Sequence, residues 1–396
     1  MPHNFDIVIV GGGLGGLALA EQLSAPEFSH LKVLVLEART EYVRDRTWSY
    51  WRDSDYSHAH LERKCWKQWC VSNGIGETMR IDAAGRLQYC TMDADAFYTH
   101  ARAVIGKCTH VQLRLGVSVC AIRDAQACAE PHDGLAEASV VTSFGEEFFA
   151  QWVFDARPPI LENLSAEQAR ISLVQQFVGW ELQTSADVFD PNTVHLMDFS
   201  STTDGLHFFY VLPYSPRNAL VESTWISAAA HRPHYDQELR DYLTQRFGVA
   251  TFDSLYEERG VLALQHRSAA AGYRVRRLGR GAGTLRPSTG YAFLDTLAHC
   301  SAITRSLTEL LNNQSLAAWQ PPQFKRPPID SWMDDVFLRV LQSDWQQAGD
   351  YFMKMFARVD PHTLVSFLSG RASWVQRLAV AKVLPAMPFI KAALGR

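Results

Sequence analysis

One run of this 396-residue sequence has the residue types and spacing to do chemistry on its own: Gly11-Gly12-Gly13-Leu14-Gly15-Gly16, which contains G-x-G-x-x-G. Gly11 permits a tight turn, Gly13 lets the backbone approach a pyrophosphate, and Gly16 allows close helix packing. A helix N-terminus behind them offers unpaired N–H groups to phosphate. Glu37, followed by Ala38, stands twenty-one residues after Gly16 (37 minus 16), at the distance where an acid accepts hydrogen bonds from ribose hydroxyls. The plainer account, a glycine-rich turn with no ligand, fits this context poorly. The fingerprint alone does not separate FAD from NAD.

The other candidates are weaker. Glu257 and Glu258, neighbouring acids at the start of an expected strand, read as a solvated edge. The fourteen histidines show no metal-ligand spacing, so no metal is expected, and His58-x-His60 reads as ordinary loop. Seven cysteines without a C-x-x-C suggest reduced, mostly buried thiols rather than a disulfide framework. Taken singly, Trp48, Trp51, Trp66, Trp69, Phe208, Phe209, Tyr210 and Trp225 are core candidates before they are substrate wall.

The elements that must position the glycine turn are legible around it. Asp6-Ile7-Val8-Ile9-Val10 is a short apolar run of the kind buried on both faces of a parallel sheet. Leu17 to Leu23 continues with helix formers, and Leu31 to Leu36 is a second strand. Further along, a helix is expected over Ala94 to Val104, paired or consecutive strands over Val111 to Leu115 and Val117 to Ile122, and a strand over Trp152 to Arg157. The stretch from Ser172 to Leu264 is strand-rich, with Phe177–Leu182, Phe208–Leu212 and Ala219–Trp225 as candidates. After the glycine-rich crossing at Gly279 to Gly290 the remainder reads as largely helical.

Composition bounds the class. The chain is 47% hydrophobic and 20% charged with a formal net charge of −4, which gives no global attraction for nucleic acid. The N-terminus lacks the zones of a signal peptide and no charge-free apolar run is long enough to span a bilayer, so a cytoplasmic protein is expected.

Across nearly its whole length the sequence resembles the bacterial lycopene β-cyclases, FAD-dependent proteins related in fold to the aromatic hydroxylases and geranylgeranyl reductases. The resemblance is carried by Thr47-Trp48-Ser49, Phe154-Asp155-Ala156-Arg157-Pro158, Gln176-Phe177-Val178-Gly179-Trp180-Glu181, Met197-Asp198-Phe199, Ala219-Leu220-Val221-Glu222-Ser223-Thr224, Glu257-Glu258 before Gly260-Val261-Leu262, and Pro287-Ser288-Thr289-Gly290-Tyr291. The stretch through Arg358-Val359-Asp360, Phe367 to Gly370 and Arg377-Leu378 resembles the family's tail. Four positions depart from the family pattern: Ser223 stands for Asp, Arg46 for the His before Thr-Trp-Ser, Arg286 for the His of His-Pro, and Ala263 for the Pro after Gly-Val-Leu.

The resemblance implies an α/β fold: an FAD-binding Rossmann-type domain, an inserted mixed β-sheet for the substrate and a helical C-terminus. The expected parts are an FAD-binding βαβ unit (1–65), a second part of that domain with a helical insertion (66–160), a substrate sheet (161–270), a return segment (271–315) and a helical region (316–396). It implies FAD, active when reduced, with NAD(P)H as an electron donor. Gly11, Gly12, Gly13, Gly16, Glu37 and Ala38 then bind the cofactor together with Val119, Asp155, Gly283, Thr289 and Gly290. The chemistry implied is an isomerisation: a carboxylic acid protonates the terminal alkene of a hydrophobic polyene, the neighbouring double bond attacks the cation, and a proton is lost. Glu222, flanked by Leu220, Val221 and Trp225, is the expected acid, because desolvation keeps such a carboxyl neutral; a solvent-facing strand residue is its plainer account. A flavin monooxygenase or halogenase, a cyclase of another prenyl or polyene substrate, and a non-catalytic flavin-binding protein stay as alternatives.

The C-terminal stretch carries five basic residues (Arg371, Arg377, Lys382, Lys391, Arg396) and no acid, interleaved with Trp374, Val375, Leu378, Phe389, Ile390 and Leu394. Pro385 and Pro388 divide it into two short pieces. Two readings compete: a peripheral membrane contact in the headgroup region, or an ordinary closing helix packed on the body.

Overall fold

The computed structural model describes residues 3–73, 77–83, 85–125, 137–158, 172–264, 272–311 and 316–395. Strand β1 (His3–Val10), helix α1 (Leu14–Leu23) and strand β2 (Val33–Leu36) form the βαβ unit around the glycine turn. Strand β8 (Val111–Arg114) pairs parallel beyond β2, and β11 (Glu147–Asp155) pairs parallel on the other side of β1. Strand β17 (Val275–Arg277) runs parallel to β11, while β10 (Ala138–Thr142) and β9 (Val119–Arg123) continue the sheet antiparallel. The two stretches expected as paired or consecutive strands thus sit at opposite ends of one sheet, because β8 pairs with β2 and β9 with β10.

Both faces of this sheet are covered, as its central strands require. Ile7 and Ile9 face α1, α2 (Ala94–Ile105) and α4 (Phe293–Leu311), whereas Val8 and Val10 face the apolar side chains of β10 and β11. Gly16 is where α1 touches the turn: a Cβ there would lie 1.9 Å from the Gly11 carbonyl oxygen.

Among the described residues the remaining strands form two further sheets. The larger is ordered β16-β12-β15-β14-β13-β5-β6: β16 (Asp253–Ala263), β12 (Leu173–Gln183), β15 (Asn218–Ala228), β14 (Gly205–Pro213), β13 (Thr193–Ser200), β5 (Gln68–Ser72) and β6 (Thr78–Asp82). One face packs on α3 (Tyr235–Phe247) through Val178, Val221 and Leu243. The other faces a cavity and the C-terminal helices α5 (Pro328–Ser343), α6 (Trp345–Arg358), α7 (Pro361–Leu368) and α8 (Trp374–Val383). Helix α9 (Ala386–Ala393) closes onto α5. Pro385 precedes α9, and Pro388 is accommodated in its first turn, where a missing N–H costs nothing.

The third sheet, β3 (Thr47–Arg52), β7 (Gln88–Asp93) and β4 (Lys64–Trp66), contains one correction to the expectation of reduced thiols. Cys65 and Cys90 are cross-strand partners joined as a disulfide. Their closeness comes from the register of β4 on β7, not from a short spacing in sequence.

The architecture is an α/β fold with a Rossmann-type sheet, a second mixed sheet inserted between its segments, and a helical C-terminal region.

Candidate active site

A cavity of about 760 Å³ runs from the glycine turn to the inner face of the larger mixed sheet. At one end its wall includes Gly11, Gly13, Glu37, Ala38 and Val119, and near its middle Thr289 and Gly290. A Cβ on Gly13 would meet nothing within 4 Å, so the bare backbone faces open space. Glu37 is 6% exposed; its carboxylate accepts from the Gly12 N–H (2.5 Å) and from the Arg39 backbone and side chain (2.8 and 3.1 Å). Gly12 and Gly16 stand behind the wall and shape the turn. Asp155 is 1% exposed and lies off the cavity, paired with Arg157 (2.9 Å) and Arg277 (2.5 Å) at the end of β11. Gly283, at φ 87°, closes a short helical turn and also stands off the wall.

Positive charge gathers on the cavity wall. Arg46, held by Asp45 (2.8 Å), and Arg280 both line it. Among the described residues no carboxylate pairs with Arg280; burial and the nearby Arg46 lower its proton affinity. A guanidinium enclosed without a counter-ion suits an anionic ligand. This part of the cavity, with an open Gly13 and an unpaired Arg280, fits a dinucleotide bearing a pyrophosphate.

The other end is apolar and aromatic. Trp48, Trp51, Phe177, Phe208, Tyr210 and Phe293 line it, whereas Trp66, Trp69, Phe209 and Trp225 do not. Glu222 lies in this wall on β15, 9% exposed, so it is no solvent-facing strand residue. Burial and the neighbouring Glu258 hold its carboxyl well above the usual carboxylate range.

The sequence reading of Glu258 as a solvated edge is wrong. Although β16 is the sheet's edge strand, Glu258 sits in its middle, 3% exposed, and only Glu257 turns outward to pair with Arg259. In register across the sheet, Glu222, Gly179 and Glu258 form one row on β15, β12 and β16. A Cβ on Gly179 would lie 2.6 Å from Glu222 Cγ. The missing side chain is the notch through which the two carboxyl groups meet and hydrogen-bond. Tyr256 Oη donates to Glu258 (3.0 Å), Thr47 is a second hydrogen-bond partner, and Arg44 adds attraction from β3's leading edge. Glu181, also quoted above, is a charged anchor: Arg44 and Arg63 hold it at 2.5 and 2.7 Å and lower its pKa to about 2.

Similarity to solved structures defines the class. The chain aligns over its full length with a geranylgeranyl bacteriochlorophyll reductase-like protein from Thermoplasma acidophilum (all of that chain, TM-score 0.62, 14% identity). It also aligns with a flavin-dependent brominase over 96% of this chain and 98% of that one (TM-score 0.58, 11% identity). The fold is that of the flavoprotein hydroxylases and reductases. Within it, the sequence profile of the lycopene cyclase protein family matches residues 6–394, and the chain belongs to that family. A lycopene beta-cyclase from a Paracoccus species is 27% identical over 97% of this chain and 95% of its own; one from Pantoea ananas is 25% identical over 99% and 97%.

Three of the four departures from the family pattern lie off the cavity, and neighbouring side chains account for two of them. Ser223 points to the opposite face of β15, where its hydroxyl donates to Glu238 on α3 (2.5 Å) and meets His207 Nε2 at 3.0 Å. A carboxylate thus reaches this spot from α3 instead of from β15. Arg286, 1% exposed, is held by Asp334 of α5 (3.0 Å) and donates to the Phe367 carbonyl, and Ser288 donates to the same Asp334 (2.6 Å). Ala263 ends β16, the edge strand, in register with Val174, and nothing in the structure explains why it replaces the proline. Only Arg46 lines the cavity. Restoring the family's acid in Ser223→Asp should therefore place two carboxylates together and lower the unfolding midpoint. Glu238→Gln added to that variant should recover most of the loss, with a coupling free energy of about 0.5–3 kcal/mol in thermal or denaturant unfolding. Additive effects would show that the two side chains do not compete.

Proposed function

We propose that this chain binds FAD in the glycine-lined half of the cavity and, with the flavin reduced, cyclises the end of a linear carotenoid or related polyene without net oxidation. The observation that carries this reading is the burial of Glu222 in an aromatic, apolar wall continuous with the dinucleotide half. Family membership supports the reaction class, and the flavoprotein fold supports the cofactor.

Each step asks something specific of the protein. Glu222 gives its carboxyl proton to the terminal alkene, so an O–H bond breaks and a C–H bond forms. The next double bond closes the ring on the cation, and loss of a neighbouring proton restores an alkene. A carboxyl can start this sequence only if it is neutral, which its burial provides. Faces of Trp48, Trp51, Phe177 and Phe208 stabilise positive charge without adding to it, and the dry wall keeps water from capturing the cation. Reduced FAD would supply negative charge near that cation. Arg46 and Arg280 would hold the cofactor's anionic part, with NAD(P)H as the source of electrons.

Access to a lipid-dissolved substrate is part of the same proposal. Trp374, Val375, Leu378, Met387, Ile390 and Leu394 of the last two helices are each more than half exposed, beside the exposed Arg371, Lys382 and Lys391. Other side chains of the tail pack inward: Arg377 pairs with Asp330 (2.8 Å), and Phe389 and Ala392 sit on α5. Among the described residues no helix is long and apolar enough to cross a membrane. A basic, apolar surface of this kind suits a peripheral contact in the headgroup region.

Four outcomes are expected. Under anaerobic conditions, lycopene with the chemically reduced FAD-loaded protein gives cyclised products of unchanged mass; a strict requirement for oxygen and stoichiometric NAD(P)H would instead identify a monooxygenase or halogenase. Glu222→Gln keeps flavin and fold but lowers the rate about a hundredfold or more, whereas Gly13→Leu loses the flavin absorbance by filling the space beside the turn. Co-sedimentation with anionic vesicles is strong at low salt and weaker at high salt. Binding unchanged in a folded protein lacking residues 371–396 would refute the tail's role.

A further inference from the structure

The proposed reaction asks for an acid that gives up a proton at one carbon and for a base that removes one from a neighbouring carbon, yet among the described residues one carboxyl group, Glu222, lies in the apolar wall. The row Glu222-Gly179-Glu258 supplies what a single carboxyl cannot. Neighbouring strands lie about 4.8 Å apart, so two glutamates one strand removed from each other meet only if the strand between them carries no side chain at that position. Gly179 meets that condition, with its absent Cβ 2.6 Å from Glu222 Cγ. Glu258 is closed off behind Glu222, away from the cavity wall, and is hydrogen-bonded to Glu222, Tyr256 and Thr47.

We propose that Glu222 and Glu258 share one proton across the Gly179 notch, with Glu258 as a positioning residue that keeps Glu222 protonated and makes it take its proton back. This deepens the cyclase reading and rests on it for the direction of proton flow. Before reaction the pair holds one proton, carried by Glu222, and one negative charge, carried by Glu258. The donors on Glu258 favour that split, since Tyr256 and Thr47 hydrogen-bond its oxygens and Arg44 attracts its charge. Donation of the proton to the alkene leaves two carboxylates in contact in a buried place. Their repulsion is relieved when the proton released from the cyclised cation returns to Glu222. Bonds and charges balance: one proton leaves the pair, one comes back, and nothing is oxidised.

The groups facing the pair are few. From β14 comes Tyr210, which feels the Glu222 charge; from β16 Tyr256; from the β3 side Thr47 and Arg44; and from β12 Gly179, with Glu181 two residues along the same face and paired with Arg44. Removing the Glu258 charge therefore removes the nearest repulsion on Glu222. Glu222 must be protonated to act, so activity is lost as pH rises through its pKa. That loss should come at lower pH once Glu258 is neutral.

The test is an infrared pH titration of the oxidised FAD-loaded protein with isotope-labelled glutamate, which reads protonated carboxyl groups without any substrate. One protonated glutamate should persist past neutral pH, and Glu222→Gln should abolish it. In Glu258→Gln its midpoint should fall by about one pH unit or more, a tenfold weaker hold on the proton, and the alkaline limb of the cyclisation rate should move down with it while KM changes little. Gly179→Ala, whose methyl pushes Glu222 out of the row, should shift the midpoint in the same direction and serves if Glu258→Gln does not fold. A midpoint unchanged in the folded variant overturns the pair. A shifted midpoint in a protein that cyclises nothing leaves the pair standing and removes the cyclase reading instead.

Discussion

A carboxyl group stays protonated at neutral pH only where water is excluded and no cation compensates its charge, and much of this molecule is arranged around that constraint. Glu222 lies on a sheet covered by α3 on one side and closed on the other by aromatic side chains and the C-terminal helices. Arg44 contacts Glu181 directly and acts on Glu258 rather than on Glu222. Were Arg44 to reach Glu222 itself, the carboxyl would ionise and lose its proton to solvent. The salt bridges Arg44–Glu181 and Arg63–Glu181 thus hold strong positive charge one residue row away from where it would do harm.

The same separation governs the cavity as a whole. Its dinucleotide half is polar and positively charged at Arg46 and Arg280; its other half is apolar. The two halves come from different sheets, so each can meet its own solvation demand. Guanidinium and backbone N–H groups at the end of a parallel sheet suit an anionic ligand, while the alternating inner face of a mixed sheet suits an apolar one.

What was legible in the sequence follows from the range of the interactions. The βαβ unit is local: strand, glycine turn, helix and acid lie within forty residues, and each step has a sequence signal. Strands β12, β14 and β15 were visible as apolar runs. Glu258 was misjudged because neighbouring acids near a strand usually face water, and its burial depends on β12 offering a glycine at the matching register. That register is set by pairing between segments about eighty residues apart (258 minus 179 is 79). Gly179 was noticed only as part of a motif, since a glycine in a strand names no partner. The Cys65–Cys90 disulfide and the Arg286–Asp334 contact escaped for the same reason: each joins elements whose adjacency no local pattern encodes.

The departures from the family pattern bear on chemistry unequally. Ser223 lies on the sheet face away from the cavity, and Glu238 brings a carboxylate to its hydroxyl. Arg286 is locked to Asp334 and the Phe367 carbonyl, and so fastens the loop that carries Thr289 and Gly290 to helices α5 and α7. Ala263 extends an edge strand. None of these three lines the cavity, and hydrogen bonding nearby absorbs the first two. Arg46 differs, for it replaces a titratable imidazole with a permanent charge beside the unpaired Arg280. Two guanidinium groups on the cavity wall make its demand for an anion independent of pH across the physiological range. Of the four departures, the one that reaches the cavity is therefore a single side chain, which adds positive charge to the wall and leaves the carboxyl group on β15 untouched.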